Sequence, residues 1–126
     1  MSTTPIPAPE GDVMDCIFCA IAAGEVPAQI VHQDDEVVVF RDLHPVAPTH
    51  LLIIPRRHIA TVNDLTPQEA PLVGRLLTTA SALAKAQGFA ADGYRLVMNC
   101  NGDGGQTVFH LHLHLLAGRR CTWPPG

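Results

Sequence analysis

The stretch Phe109-His110-Leu111-His112-Leu113-His114-Leu115-Leu116 sets three histidines in alternation with leucines. Successive side chains of an extended strand point to opposite faces. The pattern therefore predicts a strand from Phe109 to about Ala117, with His110, His112 and His114 on one face. Leu111, Leu113 and Leu115 then line the other face, which is the buried one. Same-face neighbours on such a strand lie roughly 6.5–7 Å apart. The chain has 7 histidines in 126 residues, so composition alone gives this triple alternation about 0.02 times per chain. A half-buried strand whose polar side happens to be His is the simpler explanation. Imidazole solubilises a surface poorly compared with Lys or Glu, however, and the row reads as a site.

What precedes the row fits that reading. Asn99-Cys100-Asn101-Gly102-Asp103-Gly104-Gly105-Gln106-Thr107 is a turn-forming run with three glycines. Glycine lets backbone N–H groups approach an anion without a Cβ in the way. A glycine loop feeding an imidazole row suggests a phosphate held beside a nucleophile. Neutral imidazole attacks phosphorus well near pH 7. His112, with an imidazole on each side, is the natural nucleophile, and a strand carbonyl can hold it in the required tautomer.

A chain of this length is one domain. Hydrophobic residues make up 47% and aromatic residues 5%, which predicts an aliphatic core. A net charge of −4 argues against a nucleic-acid binder. No apolar run reaches the ~18 residues a membrane span needs, and Met1–Asp12 has neither the basic start nor the apolar stretch of a secretory signal. Cys16, Cys19, Cys100 and Cys121 are therefore expected to be reduced, in a cytoplasmic protein.

Residues 1–12, with Pro5, Pro7 and Pro9, read as a disordered arm; residues 13–126 read as the folded domain with a C-terminal tail. Cys16–Ala23 predicts a short helix ending at Gly24. Ile30–His32 and Glu36–Arg41 form a hairpin about Asp34-Asp35. His50–Pro55 is an apolar run of strand length. Thr66-Pro67-Gln68-Glu69 has the capping-box pattern with Pro at the first helical position. It opens a helix to about Gln87, stopped at Gly88. Pro71 would remove a real hydrogen bond at the fifth helical position, so either the first turn is irregular or the helix proper starts at Pro71. Tyr94–Asn99 completes about five strands. The expectation is an α+β domain with an antiparallel sheet, one long helix and one short one.

The sequence resembles the histidine-triad (HIT) superfamily, whose signature His-φ-His-φ-His-φ-φ (φ apolar) matches His110-Leu-His112-Leu-His114-Leu-Leu. Cys16-Ile-Phe-Cys19, Asp42-Leu-His-Pro, Pro48-Thr-His50-Leu-Leu-Ile-Ile-Pro55, Asn99, Gly104-Gly105-Gln106-Thr107 and Trp123-Pro-Pro-Gly extend the likeness to its Hint branch, the histidine-triad nucleotide-binding proteins. The resemblance implies a HIT-like fold whose five-stranded sheet continues across a homodimer. It also implies a purine nucleotide cleft for AMP or GMP derivatives. The implied activity is hydrolysis of nucleoside 5'-phosphoramidates or acyl-adenylates through a nucleotidyl-His112 intermediate, with no cofactor required. By the same likeness His114 and Thr107 bind phosphoryl oxygens, His110 belongs to the catalytic row, and Gly105 and Gln106 assist with backbone and side chain. Thr107 stands where many members have Ser.

Asp42 is either a turn former or the acceptor of ribose hydroxyls, and Asn99 is a strand-end amide or a sugar and phosphate contact. Phe18, Ile21, Phe40, Leu43 and Leu52 are candidate walls for the base, each equally readable as core; Phe18 and Leu43 lead. Cys-x-x-Cys with two histidines can complete a tetrahedral zinc site. The resemblance suggests Cys16, Cys19, His50 and His110 as a structural zinc set, against two reduced thiols with no metal. A thioredoxin-like role lacks its βαβ context. His32, His44 and His58 carry no assigned role, and Arg56-Arg57 reads as a solvated face. Two rival functions stand beside the hydrolase. One is a hydrolase whose three row imidazoles hold a catalytic zinc; the other is a nucleotide-binding regulator with incidental hydrolysis.

Overall fold

The computed structural model describes residues 15–126; the expected arm at 1–12 lies outside the described residues. Five strands form one antiparallel sheet: β1 (Ile30–Gln33), β2 (Val37–Arg41), β3 (Thr49–Pro55), β4 (Arg95–Val97) and β5 (Leu113–Ala117), in the order β1-β2-β3-β5-β4. The helices are α1 (Ile17–Ala22), α2 (Ala70–Gln87) and a single turn, α3 (Asn101–Gly104). The α+β architecture is the one expected.

Period-two alternation sorts the sheet into two faces. Val37, Val39, Leu51, Ile53, Leu113 and Leu115 join Leu76 and Ala80 of α2 in one core. Val38, Phe40, Leu52 and Ile54 meet Phe18 of α1 on the other face, and the imidazoles lie on this second face. β3, central and buried from His50 to Pro55, contributes to both.

Helix α2 resolves the difficulty at Pro71. Thr66 and Glu69 form the reciprocal capping box around a 3-10 turn, Pro67–Glu69, and the α-helix begins at Ala70. Pro71 thus sits in the first α turn, where its missing N–H costs nothing. The helix stops at Gly88, whose φ of +88° is the left-handed cap. Inside it, Leu76, Thr79, Ala80 and Ala84 are buried at helical spacing.

Two strands are shorter than expected. β4 covers only Arg95–Val97, and β5 begins at Leu113 rather than Phe109. The β3–β5 pairing ends at Ile53 opposite Leu113. Beyond it stands Pro55, which has no N–H to offer a ladder. Its carbonyl is taken by the His110 ring at 2.8 Å, and the Leu111 N–H turns away to the Ile59 carbonyl at 2.6 Å. Leu111 nevertheless stays in the leucine core, so the His/Leu alternation outlasts the strand.

Leu76, fully buried between α2 and the sheet, tests this packing. Leu76→Ala should lower the unfolding free energy by about 2–5 kcal/mol in chemical denaturation. A loss below ~1 kcal/mol would mean that α2 does not close this core.

Candidate active site and metal centre

His110 has no exposed surface, and its two ring nitrogens have different tasks. Nε2–H donates to the Pro55 carbonyl, which leaves Nδ1 as the bare nitrogen. That nitrogen lies 3.3 Å from Cys16 Sγ and 3.4 Å from Cys19 Sγ, and Cys19 Sγ is 3.3 Å from His58 Nδ1. Burial, opposed by the Pro55 carbonyl and reinforced by His58 and His112, pushes His110 down to about 4, so it is neutral at pH 7. Burial, followed by the hydrogen bond and charge of Cys16, pushes Cys19 up to about 12.

Cys16, Cys19, His58 and His110 thus gather four ligand atoms within 4.8 Å of one another. Zn–S and Zn–N bonds of normal length put tetrahedral S···N edges at about 3.6 Å, close to the three distances seen. Two soft thiols and two imidazoles are a zinc donor set, and a divalent cation would reverse the cost of ionising Cys19. The carbonyl on the far nitrogen of His110 is the outer partner that orients such ligands. The residues present fit zinc.

His50, expected in this cluster, is not there. It pairs with Leu116 across β3–β5, six residues from His110, or about 20 Å of extended chain. In an antiparallel pair the end of one strand meets the start of the other. The residues just past Pro55 therefore reach His110, while the start of β3 reaches His114. His58 takes the fourth position.

His50 instead organises His114. The Val46 N–H donates to His50 Nδ1 at 3.2 Å, so the ring's own proton is on Nε2. That nitrogen lies 3.0 Å from His114 Nδ1 and 3.5 Å from an Asp42 carboxylate oxygen. His114 accepts at Nδ1 and carries its proton on Nε2. Asp42, His50 and His114 also place three metal-capable atoms together, but here N–H donors already occupy the lone pairs of His50 Nδ1 and His114 Nδ1. Burial lowers His50 despite Asp42; burial, then His112 and His50, pushes His114 down to about 4.

His112 is set the opposite way. Its Nδ1–H donates to the His110 main-chain carbonyl at 2.7 Å, leaving Nε2 unprotonated. Burial lowers its pKa against the pull of that carbonyl and of Asp42. Phe18 packs edge-on against it, with ring centroids 5.1 Å apart, and the His114 ring follows at 4.9 Å. A bare Nε2 beside an imidazole that donates from Nε2 is an arrangement for attack on phosphorus, with a hydrogen-bond donor for the phosphoryl oxygens.

The other expected contacts divide. Asp42 faces the imidazoles and also forms a turn, accepting the His44 N–H at 2.7 Å. Asn99 shares a cavity with His50 and His114. Gly105 caps α3 with φ +82°, a left-handed conformation that favours glycine, and its N–H closes the turn on the Gly102 carbonyl at 3.0 Å. The Gln106 side chain is committed to the fold: Nε2 donates to the Ala60 and Val108 carbonyls, and Oε1 accepts the Asn101 N–H. Its backbone N–H is taken as well, by the Asn101 carbonyl at 3.0 Å. Thr107 opens on a cavity of about 320 Å³ bordered by Cys16, His58 and Val108. Phe18 is buried between Phe40 and the imidazoles, whereas Leu43 is 84% exposed. Arg56 is no solvated face: it donates to the Ala22 and Asp34 carbonyls at 2.7 Å each, tying α1 to the β1–β2 turn.

Comparison with known proteins agrees with this geometry. The HIT domain family matches residues 23–121. A purine nucleoside phosphoramidase of Escherichia coli K12 is 51% identical over 105 residues, 83% of this chain and 88% of that protein. The crystal structure of a HIT family hydrolase from Legionella pneumophila superposes with a TM-score of 0.88 at 54% identity, covering 89% of this chain and all of that one. A Zn-bound histidine triad family protein from Mycobacterium smegmatis superposes with a TM-score of 0.73 at 32% identity, over 85% of this chain and 77% of that one. The alternating imidazoles, the loop before them and the sheet that carries them are those of the HIT domain family, to which this chain belongs.

Proposed function

We propose that the protein hydrolyses purine nucleoside 5'-phosphoramidates, and the related acyl-adenylates, through a nucleotidyl-His112 intermediate. The observation that carries this is the hydrogen bond from His112 Nδ1–H to the His110 carbonyl, which aims an unprotonated Nε2 at the ligand. The similarity to the E. coli phosphoramidase supports the substrate class. In the first step the Nε2 lone pair attacks phosphorus. The P–N bond breaks with its electron pair going to the leaving nitrogen, which takes a proton from water. In the second step water attacks phosphorus, the P–Nε2 bond breaks, and the attacking water releases a proton. The His114 Nε2–H donates to the phosphoryl oxygens, and a preorganised donor of this kind stabilises developing charge. Asp42 and Asn99 hold the ribose and phosphate, with Phe18 and Leu43 beside the base and Thr107 at the phosphoryl group.

Cys16, Cys19, His58 and His110 hold a structural zinc in this proposal, supported by the donor set and the Zn-bound relative. When bound, zinc would cross-link α1 to the segments before β5 and after β3. The reading in which the row itself binds catalytic zinc fits poorly, because His110 turns toward the cysteines and His112 toward a carbonyl. The chain would act as a cytoplasmic homodimer, joined along the β4 edge and α2, where Leu77 is exposed. Among the described residues no helix is long and apolar enough to cross a membrane.

His112→Ala should lower turnover of adenosine 5'-phosphoramidate by about 10³-fold or more while nucleotide binding, read by calorimetry, survives. Wild-type turnover in that variant, with no nucleotidyl adduct in rapid-quench mass spectrometry, would refute the covalent route. Removing zinc by chelation, or Cys19→Ser, should lower Tm with a smaller effect on initial rates at low temperature. Rates that vanish and return only with added metal, at unchanged Tm, would favour metal catalysis instead.

A further inference from the structure

Helix α1 carries Phe18, which packs edge-on against Phe40 and His112, and Ile21, which joins the same apolar cluster. Residues three apart share one helix face, so α1 presents the two as a wall beside the imidazoles. The helix has only six residues, Ile17–Ala22. A helix this short has little stability of its own, and the wall stays where its attachments hold it.

Those attachments stand at its two ends. At the N-terminal end Cys16 and Cys19 meet His110 and His58. At the C-terminal end the last carbonyls of a helix need partners from outside it. The Ala20 carbonyl takes the Glu25 N–H at 2.9 Å, and the Ile21 carbonyl takes the Gly24 N–H at 3.0 Å. The Ala22 carbonyl turns outward and accepts Nη1–H of Arg56 at 2.7 Å, the kind of cationic cap that suits a helix C-terminus. Between the two ends lies a cavity of about 420 Å³, bordered by Cys19, Ala20, Ala23, Arg56 and His58. On this side α1 is held by polar contacts across a gap rather than by packing.

Arg56 is itself fixed. Its backbone N–H donates to the Glu36 carbonyl at 2.8 Å. Its Nε–H donates to the Asp34 carbonyl at 2.7 Å, and its Nη2–H to Gln33 Oε1 at 3.1 Å. Asp34 is in turn held by the Glu36 and Val37 N–H groups and by Arg75 of α2. One guanidinium thus joins the end of α1 to the β1–β2 turn with three donors in a planar fork, which the single ammonium of lysine cannot reproduce.

Resting on the function proposed above, we propose that Arg56 is a positioning residue for the purine base: by holding the C-terminal end of α1 it sets the place of the Phe18–Ile21 wall. Arg56 acts through the helix, whereas His112 takes its orientation from the His110 carbonyl. The effect therefore falls on binding of the base and spares the chemical step.

The test compares the wild type with Arg56→Met and Arg56→Lys. Calorimetry with AMP should show Kd rising about fivefold in Arg56→Met, and by less in Arg56→Lys, which keeps one donor. KM for adenosine 5'-phosphoramidate should rise with it, while kcat holds within about twofold. With methyl ribofuranoside 5'-phosphoramidate, which lacks the base, kcat/KM should not change. Comparing the two substrates on one protein cancels general damage, and Arg56→Lys supplies the comparison if Arg56→Met does not fold. An unchanged Kd for AMP, an equal loss with the base-free substrate, or a fall in kcat at constant KM overturns the assignment. A wild type that binds AMP but turns over neither substrate overturns the hydrolase reading alone, and the calorimetry still decides the role of Arg56. No binding of AMP overturns both.

Discussion

The hydrogen bond from His112 Nδ1 to the His110 carbonyl is the contact on which the rest of the site depends, because it decides which nitrogen of His112 is free to react. The carbonyl is useful only if it is fixed, and His110 is fixed from two directions. Its Nε2–H is anchored on Pro55 at the end of β3, and its Nδ1 lies among Cys16, Cys19 and His58. One residue therefore belongs to the cysteine cluster through its ring and to His112 through its backbone.

The sheet makes this arrangement affordable in physical terms. Three neutral imidazoles in a row lose hydration when they are covered, and the lowered pKa values of His110, His112 and His114 record that loss. Each ring recovers part of it through a specific hydrogen-bond partner, while the leucines between them join the core under α2. Burial favours the neutral rings, and neutral rings are what nucleophilic attack and metal ligation both require. One alternating stretch thus serves stability through its odd-numbered leucines and chemistry through its even-numbered histidines.

Much of this was legible in the sequence. Alternation showed the two faces, Thr66 and Glu69 showed the helix start, and Gly88 showed its stop. The start of β5 was not legible, because it depends on a proline in another strand and on a carbonyl that a side chain captures. The exchange of His50 and His58 has a similar cause. Residue types identify both as plausible ligands, but only the antiparallel register of β3 and β5 says which end of the histidine row each one reaches. The family resemblance implies a ligand contact for Gln106; its bond to the Ala60 carbonyl spans 46 positions and leaves no local trace.

The central claim is that backbone partners set the imidazole tautomers before any ligand arrives. Nitrogen NMR of ¹⁵N-histidine-labelled protein, assigned by single His→Asn variants, measures this directly at pH 7. The account predicts His112 protonated at Nδ1 and bare at Nε2, with His50 and His114 protonated at Nε2. Because their pKa values are lowered, all three should remain largely neutral as the pH falls through 6.5, the ordinary value for histidine. A His112 protonated at Nε2, or doubly protonated at pH 7, would contradict it.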